Sequence, residues 1–372
     1  MRLLSAILGS SAALTTLAPA FAADAVMMPE PEPVEYVRIC DVYGKGFFYI
    51  PGTETCLRVS GYVRYEIGTS SENSVFDTPN YNEFANGWDK TVRGRINVDA
   101  RSETEFGTLR SFIRFQASWN GVGDGAVRAD QVWLSLGGFR MGYTESLWAD
   151  SVVGKVNTQG SHSDNGMSYG DQQRALIQYN FSNNGFFGSL SLEDDTLAGE
   201  GYMPDVVGLV GYAAGWGGVW GRIGYDESFD NSLPGVNGGF GASIGAEFNI
   251  PNMEGSSLRL VGYWSDGDHQ YGVLNPSAEA VFGGNGNSEW SILASYGHTF
   301  TDKFSGSVGF QYFNNYYLAN SDVATTLDGY SAEVSLVYLP VKDFEVRTEV
   351  TYDKIDGLDG SVSGYLRFQR NF

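Results

Sequence analysis

The 372-residue sequence has little of what catalytic and metal-binding sites need, with only 2 cysteines and 3 histidines. The three histidines (His162, His269 and His298) lie far apart, without the spacing of metal ligands. No nucleophile elbow and no HExxH motif occurs. The sequence therefore predicts no metal site and no cofactor, and it gives no reason to expect an enzyme.

Positive charge is also scarce. Lys and Arg together number 23 against 44 Asp and Glu, which leaves a formal net charge of −21 at pH 7. Proteins that bind nucleic acid need basic patches that neutralise phosphates. This balance excludes nucleic acid as a partner.

Long hydrophobic runs are absent beyond the first 22 residues. Residues 1–22 carry one cation (Arg2), an apolar run over 3–17 and the small-x-small ending Ala20-Phe21-Ala22. This pattern predicts a secretory signal peptide that is cleaved after Ala22. A membrane anchor is disfavoured because the run is short and is interrupted by Ser, Thr and Gly.

What the sequence has in abundance is glycine (49 residues) and aromatic side chains (14%). Apolar and polar residues alternate with a period of two, which is typical of half-buried strands. We predict sixteen strands with one apolar and one polar face each, which fits a soluble sandwich or a membrane barrel. They begin at 57, 92, 109, 132, 139, 175, 186, 206, 219, 240, 258, 290, 304, 330, 344 and 362.

The connections between these segments favour the barrel. Short turns alternate with longer polar loops, as in outer-membrane barrels, and aromatic residues such as Phe181, Phe186, Trp216 and Phe248 flank the short turns. Strands in hydrocarbon must close without a free edge. We therefore predict an all-β fold, a transmembrane antiparallel β-barrel of about 16 strands over residues 56–372, too wide for side chains to fill.

The segment before the barrel, residues 23–55, is predicted to be periplasmic. Its first part is rich in Pro and Glu, and Cys40 and Cys56 are the only thiols of the chain. In an oxidising exported compartment, two cysteines favour a disulfide. Two cysteines without neighbouring histidines do not make a zinc site.

Residues 36–65 (YVRICDVYGKGFFYIPGTETCLRVSGYVRY) resemble the N-terminal signature of the alphaproteobacterial general porins. The resemblance extends along the mature chain to its final residue, where Phe368 and Phe372 share one strand face and resemble the assembly and closure signal of outer-membrane proteins. It implies a homotrimer in the outer membrane of a Gram-negative cell, in contact with lipids and lipopolysaccharide. The implied function is a water-filled channel for passive diffusion of small hydrophilic solutes and ions.

The stretch from Thr144 to Asp171 interrupts the strand pattern. It contains Gly, Ser and Asn, four acids and no core-forming run after its first turn. A long insert of this kind is usually functional or disordered. We predict that residues 144–171 fold into the lumen as the inserted third loop and constrict the pore; a mobile surface loop is the alternative. Its acids are Glu145, Asp150, Asp164 and Asp171.

Strand parity places most arginines on the lumen side, as expected because a lipid-facing Arg at the midplane costs about 2–4 kcal/mol. They cluster in the first predicted strands, and the resemblance implies that this basic wall and the acidic loop set up a transverse field in the pore. The predicted basic pore wall consists of Arg58, Arg64, Arg93, Arg95, Arg110 and Arg114.

Two other functions remain open. A solute-specific channel for a sugar or an anion would need an aromatic track, for which Tyr62 and Phe112 are too few. A barrel enzyme such as an outer-membrane phospholipase would need a nucleophile beside a rim histidine. His298 lies on the apolar parity of its strand, but the sequence shows no nucleophile assignable to it.

Overall fold

The computed structural model describes residues 38–70, 88–121, 123–149, 162–164, 167–194, 203–227 and 238–372. The predicted signal peptide (1–22), the start of the predicted periplasmic segment and Asp150 lie outside the described residues.

The fold is all-β, and the described residues form seventeen strands and one short helix. The strands are β1 (Phe48–Tyr49), β2 (Cys56–Ser70), β3 (Asp89–Thr104), β4 (Gly107–Trp119), β5 (Arg128–Leu136), β6 (Phe139–Glu145), β7 (Gln173–Asn183), β8 (Phe186–Asp194), β9 (Asp205–Ala214), β10 (Gly217–Asp226), β11 (Gly239–Asn249), β12 (Ser256–Ser265), β13 (Ser288–Thr301), β14 (Phe304–Tyr316), β15 (Gly329–Val341), β16 (Phe344–Ile355) and β17 (Ser361–Asn371). Helix α1 (Pro276–Phe282) lies between β12 and β13.

Strands β2 to β17 form one closed antiparallel barrel, because each pairs with its neighbour in sequence and β17 pairs with β2. Phe368 stands opposite Tyr65 at this seam. The last residue, Phe372, exchanges two backbone hydrogen bonds of 2.9 and 3.0 Å with Gly61. All sixteen predicted strands are confirmed, and the remaining strand is the two-residue β1, which pairs with the start of β2.

Side-chain exposure alternates along the strands, as parity predicts. In β14, Val308 and Phe310 are about half exposed, whereas Gln311 and Phe313 are fully buried. Over most of the outer surface, the exposed residues of the strands are apolar. The most exposed of them is Ile244, at 72%. An apolar outer surface of this extent is expected where strands contact lipid.

The short turns and the long loops lie at opposite ends of the barrel. Rings at the short-turn end stack in pairs, including Trp216 with Phe248 at 5.7 Å and Phe300 with Phe304 at 5.3 Å. This is the predicted interfacial girdle. No helix in the described residues is long and apolar enough to cross a membrane.

Candidate functional site

The connection between β6 and β7, residues 146–172, is the first inserted loop. It starts on the inner wall, where Ser146 donates from its hydroxyl to the Glu193 carboxylate of β8 at 2.5 Å. The backbone N–H of Leu147 donates to the same carboxylate at 2.9 Å. Arg222 of β10 then donates to the carbonyl oxygen of Trp148. The loop therefore enters the lumen instead of extending away from the barrel.

Residues 162–164 of the first inserted loop follow the wall further. The two ring nitrogens of His162 lie 2.7 Å from the Ser257 hydroxyl of β12 and 2.8 Å from the Ser295 hydroxyl of β13. Ser163 donates to Glu333 of β15 at 2.6 Å. Each contact is with an inward-facing residue, so the loop lines the wall from β8 to β15.

The ring of His162 is held in its neutral form. Its burial and the nearby positive charge of Arg259 lower the pKa of His162 from 6.5 to about 4. A neutral imidazole donates at one nitrogen and accepts at the other. This matches the pair of serine hydroxyls that surround the ring.

Asp164 of the first inserted loop contacts basic side chains of the wall. Its carboxylate pairs with Arg367 of β17, and Arg64 of β2 lies 3.9 Å away. Burial would raise the pKa of Asp164, but the ion pair with Arg367 outweighs it and the pKa is lowered. The first inserted loop thus reaches the barrel seam and meets a member of the predicted basic wall.

The other loop acids lie elsewhere. Asp171 is exposed on the returning part of the first inserted loop, and Glu145 is the last residue of β6. Asp171 and Asp164 line a cavity of about 590 Å³ together with further acids of the wall, Glu66, Asp89, Glu349 and Asp353, and no Lys or Arg is among its described lining residues. The cavity is an acidic compartment.

A second inserted loop connects β12 to β13 over residues 266–287, and the sequence analysis missed it. Tyr271 of this loop is fully buried inside the barrel, where its hydroxyl donates to Asp205 of β9 at 2.8 Å. Its ring packs against Gly224 of β10 so closely that a Cβ on this residue would lie 2.6 Å from the ring. The run DGDHQYGVLNP resembles an ordinary polar loop, and only the inward glycines of β10 and β11 give a signal in the sequence.

Apolar residues fill the space between these two loops and the wall. Trp148 and Leu147 of the first inserted loop pack with Val207 and Leu209 of β9 and with Trp220 of β10, all essentially buried. The expectation that every strand has one polar face is therefore wrong for β9. On this side the barrel contains a small core, because the loops cover the wall and exclude water from it.

The arginines of the predicted basic wall lie on β2 to β4, and acids lie among them. Asp99 of β3 is 1% exposed and lies among three arginines. Its carboxylate oxygens are 2.7 Å from Arg101, 2.9 Å from Arg110 and 3.6 Å from Arg58. Sequence parity alone could not show that one acid anchors this group.

A second acid, Asp130 of β5, lies further along the same wall. It is 3.3 Å from Arg114 and 3.8 Å from Arg95. Arg93 donates to the Ser118 hydroxyl at 3.0 Å. Each guanidinium of the wall is thus held in a fixed position while part of it stays exposed to the lumen.

Aromatic rings lie against these guanidinium groups. Arg64 and Arg95 lie over the ring of Tyr62 at 4.8 and 5.0 Å. Trp133, which the sequence analysis did not place in the lumen, stacks on Phe112 at 5.2 Å. Tyr62 and Phe112 are only 8% exposed, so their faces support arginines and do not form a track open to sugars.

Residues 38–55 pack against the end of this wall at the short-turn side. Cys40 and Cys56 form a disulfide, with Cα atoms 6.0 Å apart. It holds Phe47, which is buried between Arg58 at 4.9 Å and Arg101 at 5.0 Å. The segment therefore contacts inward-facing side chains.

His298 has a hydroxyl next to it, which the sequence analysis did not find. Its Nδ1 lies 2.6 Å from the Ser256 hydroxyl, which is itself 3.1 Å from the Tyr296 hydroxyl. In the described part of the chain, no acid or amide side chain hydrogen-bonds to the other ring nitrogen. The ring also packs edge-on against Phe300 at 4.7 Å, which is typical of an interfacial girdle.

No group of His, Cys, Asp and Glu within the described residues is arranged to hold a metal ion.

Comparison with known proteins gives matches over the whole chain. The family described as "Porin subfamily" matches residues 24–371. Porin Omp2b of Brucella suis is 35% identical over 408 residues, covering 100% of both chains. Porin Omp2b of Brucella canis is 34% identical, again covering 100% of both chains.

Solved structures share the fold at much lower sequence identity. The outer membrane channel DcaP of Acinetobacter baumannii has a TM-score of 0.67 and 15% identity, covering 87% of this chain and 99% of its own. OmpT of Vibrio cholerae has a TM-score of 0.58 and 12% identity, covering 87% and 99%. At these identities the likeness is one of architecture.

Proposed function

Since the chain belongs to the porin family and is an outer-membrane β-barrel, we propose that it forms a water-filled channel for passive diffusion of small hydrophilic solutes and ions. One observation carries this proposal: the arginines of β2 to β4 line one side of a closed sixteen-stranded barrel and stay partly exposed to its lumen. A partly exposed charge inside a barrel requires water beside it.

The first inserted loop is the constriction of this channel in our proposal. Its contacts with the inner wall run from Glu193 of β8 to Arg367 of β17. A segment that crosses the lumen at this depth reduces the cross-section left for water. Asp164 and Asp171 then face the passage together with the arginines of β2 to β4.

The channel has a weak preference for cations. Asp99 and Asp130 offset part of the charge of the arginine wall. Six of the described residues that line the acidic cavity are acids, and two of these, Asp164 and Glu66, share Arg367 as their ion-pair partner. Charges at an outer mouth are screened beyond about 8–10 Å at physiological salt, whereas charges within a narrow passage persist. Since the loop acids and the arginine wall offset each other within the passage, the acidic outer loops at the mouth decide the sign of the selectivity, and the preference decreases as salt concentration rises.

We further propose that three copies assemble. The outward residues of β3 and β4 include Gly94, Ala100, Ser111 and Ala117, which are small or flat and suit contact between barrels better than contact with lipid. The remaining outer surface contacts lipid and lipopolysaccharide. Native mass spectrometry in detergent is expected to give a trimer; monomers alone would contradict it.

Two other functions have less support. A sugar-specific channel needs open aromatic faces, and Tyr62 and Phe112 are covered by arginines. A lipid hydrolase would use Ser256 and His298, but the described residues offer the pair no acid or amide. We therefore propose that the protein is not an enzyme, and unchanged lipid turnover in a His298→Ala variant is the expected result.

Planar-bilayer recording in asymmetric KCl tests the proposal. Purified protein is expected to give discrete steps of ohmic current and a reversal potential of small magnitude on the cation side. Membranes that stay silent, while the same protein keeps the electrophoretic mobility of a folded barrel, would contradict the channel function.

A further inference from the structure

We infer that the second inserted loop is a buttress for the constriction, with Tyr271 as the residue that positions the first inserted loop and so sets the size limit of the pore. This inference rests on the proposed channel function. It assigns a role to a segment that does not itself carry the predicted acids of the pore.

Tyr271 is fixed to the barrel wall before it meets the other loop. It is fully buried, and its hydroxyl donates to Asp205 at 2.8 Å. A Cβ on Gly241 would lie 1.6 Å from the Tyr271 carbonyl oxygen, and one on Gly224 would lie 2.6 Å from its ring. Two inward glycines on neighbouring strands thus form a seat for this one residue.

The first inserted loop packs directly on this seat. The ring of Trp148 meets the ring of Tyr271 edge to face, with centroids 5.9 Å apart. The indole N–H of Trp148 donates to the carbonyl of Gly272 at 2.8 Å. The outgoing limb of the first inserted loop is therefore held by the second.

The returning limb of the first inserted loop is held by the same segment. The backbone N–H of Gly170 donates to the carbonyl of Val273 at 3.0 Å. The side chain of Gln172 donates to the carbonyl of Gln270 at 2.8 Å. Residues 270–273 thus bind both limbs, so a displacement here moves the whole base of the constriction.

The second inserted loop has its own support, which makes it a buttress instead of a passive neighbour. Asp268 accepts backbone hydrogen bonds from Asn285 at 2.9 Å, Asn287 at 3.1 Å and Asn320 at 2.8 Å. Asn275 caps helix α1, with its side chain accepting from the N–H of Ser277 at 2.9 Å. These contacts do not involve the first inserted loop.

The test compares Tyr271→Ala with Tyr271→Phe in full-length protein reconstituted into liposomes. The readout is the uptake rate of neutral sugars of increasing size, measured by osmotic swelling, together with single-channel conductance. We expect Tyr271→Ala to raise the relative rate of the largest sugars and to increase current noise. Tyr271→Phe keeps the ring against Trp148 and is expected to restore the wild-type size limit.

Tyr317→Ala is the matched control. Tyr317 is also a buried loop tyrosine, 4% exposed, and its hydroxyl donates to the carbonyl of Ser265 at 3.0 Å. Its hydrogen-bond partner, Ser265, belongs to β12 and not to the first inserted loop. A loss of stability alone would affect both alanine variants, whereas a changed size limit is expected only for Tyr271→Ala.

Should Tyr271→Ala fail to fold, Trp148→Phe provides the second test, because it removes the bond to Gly272 and part of the ring volume but keeps an aromatic ring against Tyr271. It is expected to shift the size limit in the same direction by a smaller amount. A folded Tyr271→Ala or Trp148→Phe variant with the wild-type size limit would overturn the inference. A wild-type protein that passes no solute would instead overturn the channel function, so the two failures can be told apart.

Discussion

The two halves of the lumen use the same barrel geometry in different ways. On β2 to β4, the open half, the inward arginines remain partly exposed, with 37% of the Arg58 side chain and 28% of the Arg110 side chain accessible. On β8 to β14, the covered half, the inward side chains Ser191, Leu293 and Gln311 have no accessible surface. The difference arises because both inserted loops pack on the second half.

This difference explains the distribution of charge. A buried charge needs a partner, and a charge next to water does not. The covered half holds serines, glutamines and apolar residues, together with paired ions such as Arg259 with Glu247 at 2.7 Å. The open half can carry several arginines around Asp99 and Asp130 because water solvates what these acids leave unpaired.

The largest expected effect comes from the acids of the first inserted loop. Replacing Asp150, Asp164 and Asp171 together with Asn removes three negative charges from the side that faces the arginines. We expect the reversal potential in asymmetric KCl to move from weak cation preference to anion preference. Normal conductance with unchanged selectivity would show that these acids do not line the passage.

A second, smaller effect is expected from the acid within the open wall. Asp99→Asn leaves Arg58, Arg101 and Arg110 without their shared counterion, so selectivity is expected to shift toward anions. The loss of this buried acceptor is expected to cost about 1–3 kcal/mol of unfolding free energy. Thermal unfolding and reversal potential are the two measurements.

Asp41→Asn is the control for this change, because it also removes one negative charge but from an exposed site in the segment before the barrel. An equal shift of reversal potential in both variants would contradict a local role for Asp99.

A further prediction concerns the disulfide between Cys40 and Cys56, which lies at the short-turn end of the open half. Labelling of the unreduced, denatured protein is expected to find no free thiol. The Cys40→Ser, Cys56→Ser double variant is expected to lose about 3 kcal/mol of constraint on the segment, seen as faster proteolysis within 38–55. Conductance should change little, because the barrel strands do not depend on this bond. A large drop in conductance would show that the segment controls the passage.

The smallest expected effect is a pH response of the covered half. The pKa of His162 is lowered to about 4 by burial and by Arg259. Because the docked pKa is below the free value of 6.5, docking of the loop is complete above pH 6.5 and weakens as pH falls toward 4. Current noise is expected to rise over this window. A His162→Gln variant with the same pH response would assign the effect to the carboxylates instead.

The barrel could be predicted because its determinants are local. The alternation of apolar and polar residues fixes which side of each strand faces lipid, and the short turns fix the order of pairing. Even the short segments 132–136 and 139–143 were placed correctly, within β5 and β6. The final Phe372 marked the seam because an amphipathic strand must pair at closure.

The interior could not be predicted in the same way, since its contacts join residues far apart in sequence. The rings of Trp148 and Tyr271 are in contact although the two residues are 123 positions apart in the sequence (271 − 148). No sequence pattern around either residue indicates this contact. Parity placed Arg110 in the lumen but not beside Asp99. Asp150 and most of the middle of the first inserted loop lie outside the described residues. The role of Asp150 in the constriction therefore stays a prediction.

The most direct test compares cysteine accessibility in the two halves. Ser60→Cys lies on the inward face of β2 and is partly exposed, whereas Ser191→Cys lies on the inward face of β8 and is fully buried. A negatively charged methanethiosulfonate reagent is added during a bilayer recording, and the native cysteines are protected in their disulfide. We predict a stepwise fall in current for Ser60→Cys and none for Ser191→Cys. Equal modification of both, or modification of Ser191→Cys alone, would contradict the assignment of the water path to the arginine half.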